Sequence, residues 1–335
     1  MVHSSGETQS FECRVCGHNG RATSYTVREM MYGSRESFEY TQCRECGCLQ
    51  IAKIPIDLAR HYPSNYYSQQ ARFEPKAKLG IAGWLTRAYC AAVTIRPNDP
   101  LTALMQHWIP EPGDFVEVRP YLTDSKLRTR FESILDVGCG ASPHRLAAMR
   151  RCGFVSVQGV DPFVDKDLVY HGVPVRKCTL EEVEGTFGMV MFHHSLEHVP
   201  DPVQTLQSAA RLLRPGGTCI VRVPVMGTFF WRHFGADWVE IDAPRHLHLL
   251  SLESMGKLAS RTGFKVRRTY FDSEHWELLA SAKYQRGIAQ CEPTPADLQP
   301  SNELRQQQRD WIDQLNRLGD AGRACFTLER TTDEV

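Results

Sequence analysis

Near the start of the chain, polar and apolar residues alternate over two short stretches, ATSYTVREMMYG (22–33) and ESFEYTQ (36–42), and predict a pair of strands. The pattern then changes. LGIAGWLTRAYCAAVTI (79–95) has helical spacing and little charge, and Pro97 and Pro100 stop it. From residue 133 short apolar runs alternate with helical ones. SILDVG (133–138) reads as a buried parallel strand, PHRLAAMRRCG (143–153) as a helix with a glycine stop, and SVQGVDPF (156–163) as a second strand ending in Asp161. The plainest helix is DPVQTLQSAARLLRPGG (201–217), with Asp201 as N-cap, Pro202 at the first helical position, and Val203, Leu206, Ala210 and Leu213 on one face. The segment 277–320 is expected to be a polar amphipathic helix. Its Trp311, Ile312 and Leu315 stripe is read as packing, with a homodimer contact as the alternative.

Strand, loop, helix, strand in this order predicts an α/β fold with a mostly parallel sheet. The predicted divisions are a small N-terminal domain over 1–60, a helical connecting segment over 61–130 and the α/β domain over 131–335, with insertions at 225–250 and 277–320. The 335 residues carry 39 Lys plus Arg against 39 Asp plus Glu, so no net field favours a polyanion. Neither a signal-peptide pattern at the start nor a run of 18 apolar residues occurs, and a cytoplasmic protein is expected.

Five of the twelve cysteines fall between Cys13 and Cys48. Cys13/Cys16 and Cys43/Cys46 form two CxxCG knuckles, the spacing of a four-thiolate zinc site, and the glycines allow the sharp turn that each knuckle needs. A closed thiolate shell leaves no position for water, so the zinc is expected to be structural. Cys48 and His18 are spare candidates, read as packing or surface residues.

Gly138 and Gly140 let the loop after the first strand approach a ligand, and Asp161 is placed to accept hydrogen bonds from both hydroxyls of a ribose. Pro143 stands where a dinucleotide motif would need tight approach to a pyrophosphate, so the ligand is nucleotide-like but not a dinucleotide.

These motifs, with FGMVMFHHSLEHVPDP (187–202), LLRPGGTCIVRVP (212–224), DWVEIDAPRHLHLLSLESMGKLASRTGF (237–264) and the closing strand ACFTLER (324–330), resemble the class I S-adenosylmethionine-dependent methyltransferases. The knuckles followed by Tyr62, Pro63, Tyr66 and Tyr67 are similar to a bacterial subgroup with an N-terminal zinc ribbon, whose members act in sugar, polysaccharide or secondary-metabolite pathways. The resemblance implies a Rossmann-like sheet with an antiparallel last strand. It also implies that Asp136, Gly138, Cys139 and Gly140 line the methionine part of S-adenosylmethionine and that Asp161 holds the ribose. Pro162 or Phe163 would pack on the adenine, and His193 would meet the methionine end. The acid common after the third strand is replaced by Cys178 and Thr179, and Gly188 replaces an aspartate early in the fourth.

HSLEH (194–198) has the H-x-x-E-H spacing of a metalloprotease helix, but Pro200 and Pro202 end any such helix at once. Methyl transfer needs alignment of the acceptor and, for many acceptors, removal of a proton, for which histidine is suited. His246, His194 and His248 are the catalytic candidates. Arg245 is either a contact for an anionic acceptor or a structural ion pair. The expected activity is methyl transfer to a small molecule, a sugar or glycan precursor. The alternatives are an RNA methyltransferase gripping nucleic acid with its ribbon, which the neutral charge argues against, and a non-catalytic module that kept the fold.

Overall fold

The computed structural model describes residues 6–62 and 80–331, with side chains from Phe11 onward. Pro63, Tyr66 and Tyr67 lie outside them. The central strand β5 (Ile134–Val137) is buried along its whole length, as a strand covered by helices on both faces must be. It pairs in parallel with β6 (Val157–Val160) on one side and β9 (Phe187–His193) on the other. Beyond β6 lie β8 (Val173–Arg176), also parallel, and antiparallel β7 (Leu168–Tyr170). Beyond β9, the long strand β10 (Leu213–Met226) runs parallel to it and is followed by antiparallel β13 (Arg323–Arg330) and then β12 (Phe264–Phe271). This is the Rossmann-like sheet that the resemblance implies, mostly parallel with antiparallel C-terminal strands.

Helices cover both faces. On one side α1 (Gly80–Ile95), α3 (Gly113–Asp124) and α4 (His144–Arg151) bury Tyr89, Phe115, Leu122, Leu146 and Met149 against Ile134, Met191 and Ile220. On the other, α5 (Pro202–Leu212) and α7 (Leu252–Arg261) bury Leu206, Leu212 and Leu258 against Val190, Val221 and Phe326. Asp201 caps α5 through the Gln204 amide at 2.9 Å, as its sequence predicts. Within α1 Tyr89, Cys90 and Val93 are buried, whereas Ile81 and Trp84 face solvent, as do Leu101 and Trp108 of α2 (Pro100–Trp108).

The N-terminal segment is a ribbon of β1 (Gly6–Glu12), β2 (Asn19–Arg28), β3 (Ser37–Cys43) and β4 (Leu49–Ile51). Its strands join the main sheet. β4 pairs with β11 (His248–Ser251), which pairs in parallel with the end of β10. The single polar helix expected over 277–320 is two helices, α8 (Trp276–Gln285) and α9 (Asn302–Leu318), because Pro293, Pro295 and Pro300 interrupt the pattern between them. Ile312 and Leu315 of α9 are buried, and Trp311 stands half-exposed with its edge against Phe229. Among the described residues no helix is long and apolar enough to cross a membrane.

Candidate active site

A cavity of about 1010 Å³ opens at the carboxyl ends of β5, β6, β9 and β10. Strand order reverses between β6–β5 and β9–β10, and such a reversal leaves a crevice in an open α/β sheet.

One wall is built by the loop after β5. Gly138 and Gly140 have φ of +71° and +67°, a conformation glycine adopts without a Cβ penalty. The clearance at Gly138 serves the protein itself: a Cβ there would stand 2.6 Å from that of Ser195, whose hydroxyl donates to the Val137 carbonyl at 2.6 Å. Cys139 likewise packs its thiol over Gly159. Asp161 accepts from the Gly140 amide at 2.9 Å through one oxygen and from the Phe163 amide at 2.8 Å through the other. The Val164 amide bears on the same carboxylate, and Asp161 lines the cavity with Pro162, Phe163 and Gly138. Phe163 stacks on Tyr62 at 6.1 Å. Asp136 is 4% exposed, its Oδ1 has no partner, and burial pushes its carboxyl up to about 7. An orphaned buried carboxylate on a cavity wall suits a cationic ligand group.

These residues fit S-adenosylmethionine, which carries an ammonium group and a ribose diol. Cys178 and Thr179 line the cavity as the sequence places them, and Glu181, two residues beyond, brings a carboxylate to the same wall.

The other wall holds the histidines. His193 ends β9, its Nε2 3.2 Å from the Tyr121 hydroxyl, and burial with Arg145 nearby holds it neutral, well below the usual histidine range. His194 adopts φ +54°, left-handed for a residue with a side chain. Its Nδ1 lies 3.1 Å from Glu197 and its Nε2 meets the Arg222 guanidinium. His246 lines the cavity and is tied through Nδ1 to the Glu240 carbonyl at 2.7 Å. His248 is corrected: it sits on β11 facing the ribbon, with its Nε2 3.4 Å from Arg14, and does not line the cavity. His246 belongs to the loop before β11, whereas His248 is the first residue of that strand and is fixed there by its pairing with Gln50 of β4.

Arg245 is likewise settled. It is 1% exposed and pairs with Asp242 at 2.5 Å and Glu29 at 2.9 Å, so it is a structural ion pair. On this wall Arg222 on β10 and Arg323 on β13 reach the cavity, with Glu240, Glu274 and Trp276 around them, while Arg145 on α4 reaches it beside His144. No local motif marks the residues of this wall, because they come from four separate stretches of chain.

In the ribbon, the thiols of Cys13, Cys16, Cys43 and Cys46 converge to within 4.8 Å of one another. Cys13–Cys46 and Cys16–Cys43 are both 3.7 Å apart. A tetrahedral shell with Zn–S bonds of about 2.3 Å has S···S edges of about 3.7–3.8 Å, so the quartet fits zinc. Cys48 is buried beside it and outside the quartet.

Residues 105–269 match a family model described as a methyltransferase domain. Curated relatives include the ubiquinone biosynthesis O-methyltransferase of Xanthomonas oryzae pv. oryzae (strain PXO99A), 30% identical over 166 residues that cover 45% of this chain and 64% of the relative. That of Xylella fastidiosa (strain M23) is 27% identical over 164 residues, 45% and 62% of the two chains. The chain therefore spans less than two thirds of those relatives' length. Among solved structures, geranyl diphosphate methyltransferase in complex with S-adenosylmethionine matches with a TM-score of 0.44 at 15% identity, over 72% of this chain and 94% of that one. Mycolic acid cyclopropane synthase matches with a TM-score of 0.42 at 17% identity, over 75% and 99%. Residues 105–269, just under half of the chain, thus match a methyltransferase domain and span strands β5 to β12 of the Rossmann-like sheet.

Proposed function

We propose that the protein transfers a methyl group from S-adenosylmethionine to a hydroxyl of a small polar acceptor, a sugar or glycan precursor. The observation that carries the acceptor class is the composition of the far wall. Arg222, Glu240, Glu274 and Arg323 offer charged hydrogen-bonding groups beside Trp276, whose ring carries the Arg323 guanidinium at 5.7 Å, a set that suits a polyhydroxylated ring better than an apolar one. The O-methyltransferase names of the relatives favour oxygen as the methylated atom.

Asp161 would hold the ribose hydroxyls, and Asp136 would face the ammonium group. The loop of Gly138, Cys139 and Gly140 would line the methionine part, with Pro162 at the adenine and His193 near the methionine end. When bound, S-adenosylmethionine supplies a methyl carbon already activated on a sulfonium. The chain's own residues need only align the acceptor and take its proton. His246, whose Nδ1 is held by the Glu240 carbonyl and whose Nε2 keeps a lone pair, is the position for that work, and His194, engaged by Glu197 and Arg222 through its two nitrogens, would orient that wall. Cys13, Cys16, Cys43 and Cys46 would hold a structural zinc that fixes the ribbon against β11.

Calorimetric titration with S-adenosylmethionine tests the cofactor site. Micromolar binding is expected, weakened at least tenfold in Asp161→Ala, because losing two charge-assisted hydrogen bonds costs roughly 1.5–3 kcal/mol. Absence of binding to folded protein overturns the reading. Methylation of nucleotide sugars, followed by mass spectrometry, then tests the acceptor class.

A further inference from the structure

We propose that Glu197, His198 and His246 form a second metal centre, distinct from the cysteine quartet, which takes a divalent transition-metal ion at the acceptor side of the cavity.

The three side chains each bring a ligand atom to within 4.8 Å of the others. Bonds of about 2.0–2.2 Å would place bound ligand atoms about 3–3.5 Å apart, so closure requires movements of about 1 Å. Both imidazoles are already oriented for it. The Nδ1 of His246 lies 2.7 Å from the Glu240 carbonyl, and that of His198 lies 2.9 Å from the Arg245 carbonyl. A carbonyl only accepts, so each Nδ1 carries the proton and each Nε2 keeps its lone pair. This is the outer-shell arrangement that orients metal-binding histidines.

The carboxylate is prepared in the same way. The Arg222 guanidinium can only donate to His194 Nε2, which leaves the proton on Nδ1 to donate to Glu197 Oε1 at 3.1 Å. Glu197 is 2% exposed, and its Oε2 has no partner. The Leu247 amide donates to the Glu197 carbonyl at 2.7 Å, locking together the two loops that supply the ligands. The Tyr40 hydroxyl donates to the His246 carbonyl at 2.8 Å.

Charge points the same way. His246 Nε2 lies 3.9 Å from a Glu197 oxygen and 4.0 Å from an Asp242 oxygen, so two buried carboxylates stand beside the imidazole that would ligate. A cation between them answers both. Two imidazoles and one carboxylate favour zinc, manganese, cobalt or iron over calcium or magnesium, and three protein ligands leave coordination positions open. His198 and His246 line the cavity, so those positions face the acceptor space. If the proposed methyl transfer holds, an acceptor hydroxyl oxygen would occupy one of them, and the metal, by easing loss of that hydroxyl's proton to water, would do the work otherwise left to the His246 lone pair.

The test is metal counting on the full chain. Wild type reconstituted with zinc should bind two equivalents by mass spectrometry of metal content, and Glu197→Gln and His246→Asn should each retain one. Cobalt substitution separates the sites, because a thiolate site shows intense sulfur-to-cobalt charge-transfer bands and a nitrogen–oxygen site only weak d–d bands. Manganese titration of wild type, followed by loss of the free-ion electron paramagnetic resonance signal, needs no variant. It should show saturable binding that zinc displaces, weakened at least tenfold by either substitution. A single equivalent in wild type, no manganese binding, or a second equivalent unaffected by both substitutions overturns the proposal. S-adenosylmethionine affinity measured on the same samples separates failure of this centre from failure of the methyltransferase reading.

Discussion

The chain gathers metal-ligating side chains at two places, and the two are built by opposite means. In the ribbon, four cysteines from two local turns close on one another, each knuckle set within four residues and turned by Gly17 or Gly47 at φ +75° and +70°. In the cavity, Glu197 and His198 come from the turn after β9, and His246 comes from a loop almost fifty residues later. The first is complete in itself, since four thiolates fill a tetrahedral shell. The second depends on the sheet beneath it and leaves its open side to a ligand. The comparison teaches that spacing reveals a closed centre, whereas an open one exists only once the fold has brought distant loops together.

The largest expected effect breaks the closed centre. Cys46→Ser should remove the zinc and unfold the ribbon, at a cost on the order of 5 kcal/mol or more, since metal binding at such sites is folding free energy. Because β4 pairs with β11, and β11 with β10, the loss should spread to the cavity. Circular dichroism and metal content would show both. A variant that keeps its far-ultraviolet spectrum without zinc would mean that Phe11, Val15 and Ala22, which are buried with the cysteines, suffice as a core.

Chelation should sharpen the contrast. Brief treatment with a moderate chelator should strip the Glu197, His198 and His246 centre first, because it is open, and leave the thiolate zinc in place with the melting curve almost unchanged. Simultaneous release of both metals, followed by metal analysis over time, would show the two centres to be energetically one.

These differences also explain what the sequence revealed. The strand–loop–helix–strand order, the Asp201 cap and the four-cysteine quartet depend on neighbours along the chain, and all are present as read. Asp161 and Gly140 were each legible as cavity residues, but the hydrogen bond that joins them was not. The far wall was not legible. Arg222 and Arg323 look like ordinary strand residues, and only pairing of β10 with β13 puts both at the cavity. H-x-x-E-H was rightly set aside as a helical pair of His194 with His198, but nothing local showed that Glu197 and His198 would instead meet His246.

A smaller effect concerns the wall opposite the histidines. Asp136 titrates at about 7 in the folded protein against the ordinary 3.8, because burial penalises its charged form. Between those values the folded state holds a proton that the unfolded state has released, so stability falls as pH rises from about 4 to about 7. Asp136→Asn should remove that slope, leaving the variant more stable than wild type at pH 8 relative to pH 4 by no more than about 4 kcal/mol. Urea melts at the two pH values measure it. Saturating S-adenosylmethionine should recover much of the difference in wild type and none in the variant, because only a carboxylate can answer its ammonium group.

The smallest effect probes the seam between the two regions. Ser251 begins α7, where its hydroxyl accepts from the Ser254 amide at 3.0 Å and donates to the Cys46 carbonyl, so a single side chain caps a helix of the main domain and touches the second knuckle. Ser251→Ala should cost about 1 kcal/mol, as loss of an N-cap does. Gly47 packs against this residue, where an added Cβ would meet the Ser251 side chain at 3.3 Å, so the alanine leaves the contact surface in place. Both metal contents should then stay at wild-type values while the melting temperature drops by a few degrees. A selective loss of the thiolate zinc would instead show that the knuckle is held by the main sheet, and that the closed centre, for all its local spacing, is completed from outside the ribbon.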